Sequence, residues 1–196
     1  MNEGLAAAWY GRFVDTVQKH EASPALREAA MDGHLGKWTE ALTSVVCDTC
    51  GGLGWAAAAK GHVSRLLPVS RSEYLALDVV AFESAGDRRW RFPVAAFELE
   101  NSTDDDRVAY SLWKVLCVRA NLRAVFCYRR SSDEGNELVR HLAEQVVRAM
   151  ELQDRAKLTG DTLLVVGSYS EAATFPYGFF KDWLFDANVG RFARLG

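Results

Sequence analysis

Cysteine, proline and histidine are scarce in this chain, with four of each among 196 residues. Four cysteines cannot staple a domain of this size, which excludes a disulfide scaffold and fits a reduced, cytoplasmic setting. The histidines His20, His34, His62 and His141 show no HExxH or related spacing, so pattern makes none of them a metal ligand. Walker loops, GxGxxG fingerprints and serine elbows are missing as well. No apolar run approaches the ~20 residues of a membrane span. The opening MNEGLAAAWYGRFVDTV has no basic leader region, and Gly11, Arg12 and Asp15 break it, so neither a membrane partner nor a signal peptide is expected. Charge of one sign is not in excess: 23 basic against 26 acidic residues give −3, which excludes nucleic-acid binding by bulk positive charge and leaves room only for a local basic patch.

What is present is a globular composition, 49% hydrophobic and 25% charged, which argues for a packed core. Helical spacing of Leu5, Ala8, Trp9, Phe13 and Val17 predicts a helix over 3–20. Ser23-Pro24 predicts a short helix over 24–31, and Trp38, Leu42, Val45 and Val46 a third over 37–48. Residues 53–59 read as a short strand. Tyr74–Glu83 and Trp90–Glu100 are rich in β-formers and flank the polar segment 84–89, which predicts a hairpin. Ser102-Thr103 before three aspartates predicts a capped helix over 104–120, with Val108, Leu112, Val115 and Leu116 as its buried stripe. A buried strand over 123–129, a long helix over 133–156 and a strand over 161–169 follow. Phe175, Tyr177 and Phe179 alternate in an aromatic tail that could close the core or form a dimer surface. The order implies one α/β domain over 1–196, a mixed central sheet flanked by helices. Residues 1–35 read as an N-terminal helical addition, 36–130 as the core motif region, and 131–196 as a C-terminal helix with strands.

Charged residues inside apolar strands are costly without a partner, so Asp78 in LALDVVAF and Glu98 and Glu100 in VAAFELEN are the informative exceptions. Strand alternation puts Glu98 and Glu100 on one face, opposite Phe97 and Leu99. Asp78 and Glu98 are each ten residues from position 88, inside the polar loop, so a hairpin centred there would set them side by side. Three carboxylates without cysteine or histidine make a hard oxygen site suited to Mg2+ or Mn2+. The alternative is an exposed strand end, with Asp78 paired to a loop arginine.

An Asp on one strand, a Glu-x-Glu closing the next, then a helix (ELENSTDDDRVAYSLWKVL) and a buried strand resembles the PD-(D/E)XK restriction-endonuclease-like superfamily. The likeness covers about residues 36–130. It implies a restriction-endonuclease-like core and a metal-dependent nuclease that hydrolyses DNA, in a defence or mobile-element setting. By the same resemblance Asp78, Glu98 and the backbone carbonyl of Leu99 would hold Mg2+ or Mn2+. Glu100 would position or deprotonate the attacking water. Glu40, from the preceding helix, would add an acid, with Glu73 as its rival. Glu100 stands where the family's lysine usually does, and Lys114 is the substitute for that missing charge. Arg107, Tyr110, Ser111 and Lys114 share one polar helix face. A homodimer or a partner subunit is implied too, as is the alternative of a catalytically inactive binding or assembly module.

Two other patterns have plainer readings. Cys47-Asp48-Thr49-Cys50-Gly51-Gly52-Leu53-Gly54 matches one zinc-knuckle repeat, but zinc needs four ligands, so structural zinc is not expected and the cysteines read as packing residues at a helix end. Arg88, Arg89 and Arg91, with Arg119, Arg123, Arg129 and Arg130, are read first as solvated strand ends, and second as phosphate contacts beside the acids.

Overall fold

The computed structural model describes residues 4–19, 23–32, 35–63, 65–84 and 88–195. His20, His34 and the centre of the hairpin loop, 85–87, lie outside them. Three helices come first: α1 (Leu5–Lys19), α2 (Ser23–Asp32) and α3 (Leu35–Gly52). Strands β1 (Trp55–Ala59), β2 (Val79–Glu83) and β3 (Ala95–Leu99) form an antiparallel meander. Helix α4 (Asp105–Leu116) leads to β4 (Leu122–Arg129), parallel to β3. Helices α5 (Ser132–Leu142) and α6 (Leu152–Ala156) lead to β5 (Asp161–Ser168), parallel to β4. Antiparallel β6 (Phe180–Asp186) and β7 (Arg191–Ala193) finish one seven-stranded mixed sheet whose spatial order follows the chain.

Period-two alternation sorts the strand residues into two cores. Val79, Ala81, Phe97, Leu99, Phe126 and Val165 face α1–α3. Val80, Phe82, Ala96, Val125, Leu164 and Val166 face α4 and α5. Successive parallel strands laid down in one direction, each joined by a right-handed crossover, put both crossover helices on one face, which leaves the other for α1–α3. Residues 1–35 contribute to the main core through α1 and α2: Trp9 stacks on Phe13 and lies 4.9 Å from Phe97, while Phe13 meets Phe126 and Phe180. Each such fully buried ring contributes about 1.5–3 kcal/mol of transfer free energy.

Several sequence expectations are corrected. The strands expected over 74–83 and 90–100 are shorter. Leu75 and Ala76 adopt positive φ (58° and 54°) and turn the chain just before β2, with the Tyr74 hydroxyl donating to the Val69 carbonyl at 2.6 Å. Before β3, Pro93 lacks the donor a ladder needs. The cap of α4 is Asp104, not Ser102 or Thr103; its carboxylate accepts from the Asp106 N–H at 2.9 Å. Asp105 and Asp106 do occupy the first turn, where the helix dipole favours them.

The long helix over 133–156 is interrupted by a π-turn at Ala143–Val147 and by extended Glu151. Its second half, α6, buries no residue, so no packing holds it in line with the first. The tail aromatics do not share a face: Phe179 is fully buried, Phe175 is half-buried, and Tyr177 is exposed and accepts from the Gln18 amide. Phe179 and Phe180 close the core against the N-terminal layer. Cys47 and Cys50 pack in the core of α3, which ends at the double glycine. Burial pushes the Cys47 thiol up to about 12 and that of Cys50 up as well. Among the described residues no helix is long and apolar enough to cross a membrane.

Candidate active site

The register of β2 and β3 is the one the loop arithmetic requires, with Val79 opposite Phe97 and Val80 opposite Ala96. One step further, the ladder gives way to side-chain bonds between the next two residues. The Asp78 N–H donates to Glu98 Oε1 at 3.4 Å, and the Leu99 N–H donates to Asp78 Oδ2 at 2.7 Å. Glu98 is 5% exposed although it is a carboxylate in the middle of a sheet. Alternation turns it toward α4, the face that Ala96 also occupies.

There it meets Lys114, in the last turn of α4. Lys114 Nζ lies 2.7 Å from Glu98 Oε2 and also donates to the Ala76 carbonyl at 2.7 Å. One ammonium thus ties the buried glutamate to the left-handed turn before Asp78. Non-glycine residues in that conformation cost about 1–2 kcal/mol each, and the Lys114 bond helps to offset this at Ala76. Glu100 follows on the same face. Its Oε1 accepts the Ser102 N–H at 2.8 Å and its Oε2 accepts the Ser111 hydroxyl at 3.3 Å. Its own N–H continues the ladder to the Phe126 carbonyl. Asp78, Glu98, Glu100, Ser111 and Lys114 therefore gather where β2 begins and β3 ends.

A cavity of about 620 Å3 opens beside them. Asp78, Glu40, Glu73, Thr39, Lys60 and His62 line it, so both candidates for the additional acid face the space that Asp78 faces. The Asn101 amide donates to Thr39 Oγ1 at 3.1 Å, and the Tyr128 hydroxyl donates to the Asn101 carbonyl, which binds the segment after β3 to α3 and β4. Asn101, Thr39 and Tyr128 stand in no sequence pattern that marks a site. Ser111 carried a signal, because it stands three residues before Lys114 on the same helix face.

Burial pushes the Glu98 carboxyl up to about 7; the Asp78 charge adds to this, while Lys114 and the Asp78 N–H pull it back. Burial also raises Asp78, with Glu73 and Glu100 adding repulsion and the Leu99 N–H and Lys114 opposing it. Like charges crowded in this way are relieved by a cation. The donor set is oxygen only, two neighbouring carboxylates with the Leu99 backbone nearby, and such a set fits a hard ion such as Mg2+ or Mn2+. Among the described residues, no group of three or more His, Cys, Asp or Glu side chains is drawn together as a metal cage.

No family model, curated protein or solved structure matches this chain.

The arginines are divided differently from the expectation. Arg123 and Arg129 are buried structural groups rather than solvated strand ends or phosphate contacts. Arg123 donates to the carbonyls of Val118 at 3.0 Å and Thr159 at 2.7 Å and to the Thr162 hydroxyl, and Arg129 pairs with Asp105. Arg89, Arg91 and Arg119 line a recess at the opposite end of β3 from the acids.

Proposed function

We propose that this protein is a metal-dependent nuclease with a restriction-endonuclease-like core that hydrolyses phosphodiester bonds in DNA. The observation that carries the reading is the 2.7 Å approach of Lys114 Nζ to Glu98 Oε2. With Glu100 in the usual lysine position, positive charge reaches the carboxylates from the following helix instead. The order α3-β1-β2-β3-α4-β4 and the side-by-side placement of Asp78 and Glu98 add support. Asp78, Glu98 and the Leu99 carbonyl would hold Mg2+ or Mn2+. Such an ion, when bound, supplies polarisation of the phosphoryl oxygen and a more acidic water.

The other roles fall to the chain itself. Glu100, oriented by Ser102 and Ser111, accepts the proton of the attacking water. Lys114 stabilises the charge that builds on the phosphate. Glu40 and Glu73 line the approach to Asp78 and hold further water or cation on that side.

Calorimetry with Mg2+ and Mn2+ on the wild type and on Asp78→Ala/Glu98→Ala, with plasmid cleavage on the same samples, tests this reading. Binding and cleavage in the wild type, both lost in the variant, are the expected result. A wild type that binds neither ion would overturn it. One observation favours a second reading, a non-catalytic binding module: Glu98 already carries Lys114, and Asp78 already accepts the Leu99 N–H, so the pair is partnered from within the chain. Ion binding without cleavage of any DNA substrate would favour that module.

A further inference from the structure

The end of the sheet away from the carboxylates carries an unusual surface. Trp90 is 72% exposed and Phe92 is 67% exposed, side by side in the segment leading into β3. Burying either ring would contribute about 1.5–3 kcal/mol, yet nothing in the described chain covers them. The Arg119 guanidinium, from the loop between α4 and β4, lies 4.4 Å from the centre of the Phe92 ring. Arg89 and Arg91 flank the rings, with Arg91 donating to the Glu83 carbonyl at 3.1 Å. Together they border a recess of about 530 Å3 whose described lining includes Glu83 beside Arg89, Arg91 and Arg119.

Planar rings interleaved with guanidiniums match a ligand that is planar and anionic at once. A nucleobase stacks on Trp or Phe whatever its identity, and arginine pairs with phosphate through its planar fork. An acidic protein segment would approach the arginines but supplies no flat faces for two exposed rings. Duplex DNA offers phosphates but keeps its bases stacked inside. We propose that Arg89, Trp90, Arg91, Phe92 and Arg119 form a binding site for single-stranded nucleic acid, with bases stacked on the rings and phosphates along the guanidiniums. The strand β3, five residues at ~3.3 Å each, spans roughly 16 Å between this end of the sheet and the carboxylate end, a reach of a few nucleotides. The site deepens the nuclease reading and rests on it for its purpose: one strand held here could extend toward the carboxylates. The binding itself does not depend on cleavage.

The test is fluorescence anisotropy of a labelled oligodeoxythymidylate of about twenty nucleotides, more than one such stacking site spans, on the full chain in EDTA. EDTA silences any metal-dependent cleavage, so the readout is binding alone. A failure of the nuclease reading thus leaves this measurement intact. Trp90→Ala/Phe92→Ala should weaken binding about tenfold or more. Arg119→Ala should weaken it and lower the salt dependence by about 0.7 in the log–log slope, whereas Arg119→Lys should restore the slope. The substituted side chains are exposed, and circular dichroism checks that the variants fold. Unchanged affinity in Trp90→Ala/Phe92→Ala would overturn the proposal, as would equal affinity for duplex of the same length. So would a wild type that binds no oligonucleotide. Self-association of such a wild type, lost on Trp90→Ala/Phe92→Ala, would assign the surface to a protein partner instead.

Discussion

Two buried charges on neighbouring strands meet opposite fates. Arg123, near the start of β4, spends its N–H groups on two carbonyls and a hydroxyl, all neutral acceptors. Glu98, near the end of β3, shares its surroundings with Asp78, a like charge, and with Lys114. Burial disfavours the charged form of both, lowering the arginine and raising the glutamate. Each of the three guanidinium nitrogens finds an acceptor, which is how a fold keeps a structural charge. The glutamate sits in repulsion that the sheet imposes by placing two carboxylates in register. Crowding of this kind is what the proposed nuclease reading calls for.

The comparison can be broken most sharply at Arg123. Arg123→Ala leaves buried acceptors without donors and is expected to cost about 3–5 kcal/mol in urea unfolding, against a far smaller change for Glu98→Gln at neutral pH. Equal costs would mean that Glu98 is as structural as Arg123. The next largest effect is expected at Lys114. Lys114→Ala should lower cleavage about 10^2- to 10^3-fold while Mg2+ affinity in calorimetry is kept or strengthened, because a competing cation has gone. Loss of ion binding along with activity would instead make Lys114 a scaffold for the carboxylates.

A third expectation concerns pH. The folded Glu98 titrates near 7, above its ordinary value of 4.5, so the folded state holds the extra proton between those values. The stability it contributes is fully present below about 4.5 and is lost as pH rises through about 7. Urea unfolding from pH 5 to pH 8 should therefore fall by roughly 1–3 kcal/mol more in wild type than in Glu98→Gln. Mg2+ should flatten the wild-type slope, since it favours the carboxylate. The smallest effect separates the two rim acids. Glu40→Gln and Glu73→Gln should each change cleavage by less than about tenfold, and the larger loss marks the acid nearer the reacting groups.

Much of this arrangement was legible because its causes are local. The burial stripe of α4, the alternation that turns Glu98 away from Phe97 and Leu99, and the loop centre that aligns Asp78 with Glu98 all follow from periods of 3.6 and 2 within short stretches of chain. Less was legible where a local pattern lacked tertiary support. Tyr74–Asp78 has strand composition but turns at Leu75 and Ala76, and residues 152–156 have helical composition but nothing to pack against.

By itself, then, the sequence determined the α/β class and the helices α1 to α5 and strands β1 to β5 in outline, while β6 and β7 read only as an aromatic tail. It also determined that Asp78, Glu98 and Glu100 share one sheet face. Only the tertiary structure decided what those groups touch. Lys114 reaches Glu98 and Ala76 because Val108, Leu112 and Val115 dock α4 on the sheet and set its rotation. Arg123 and Arg129 became internal because neighbouring loops and helices offered carbonyls and Asp105, while Trp90, Phe92 and Arg119 stayed outside. Periodicity is a property of one segment, but the distance between two segments is set by how their side chains pack. No single stretch of chain carries that information.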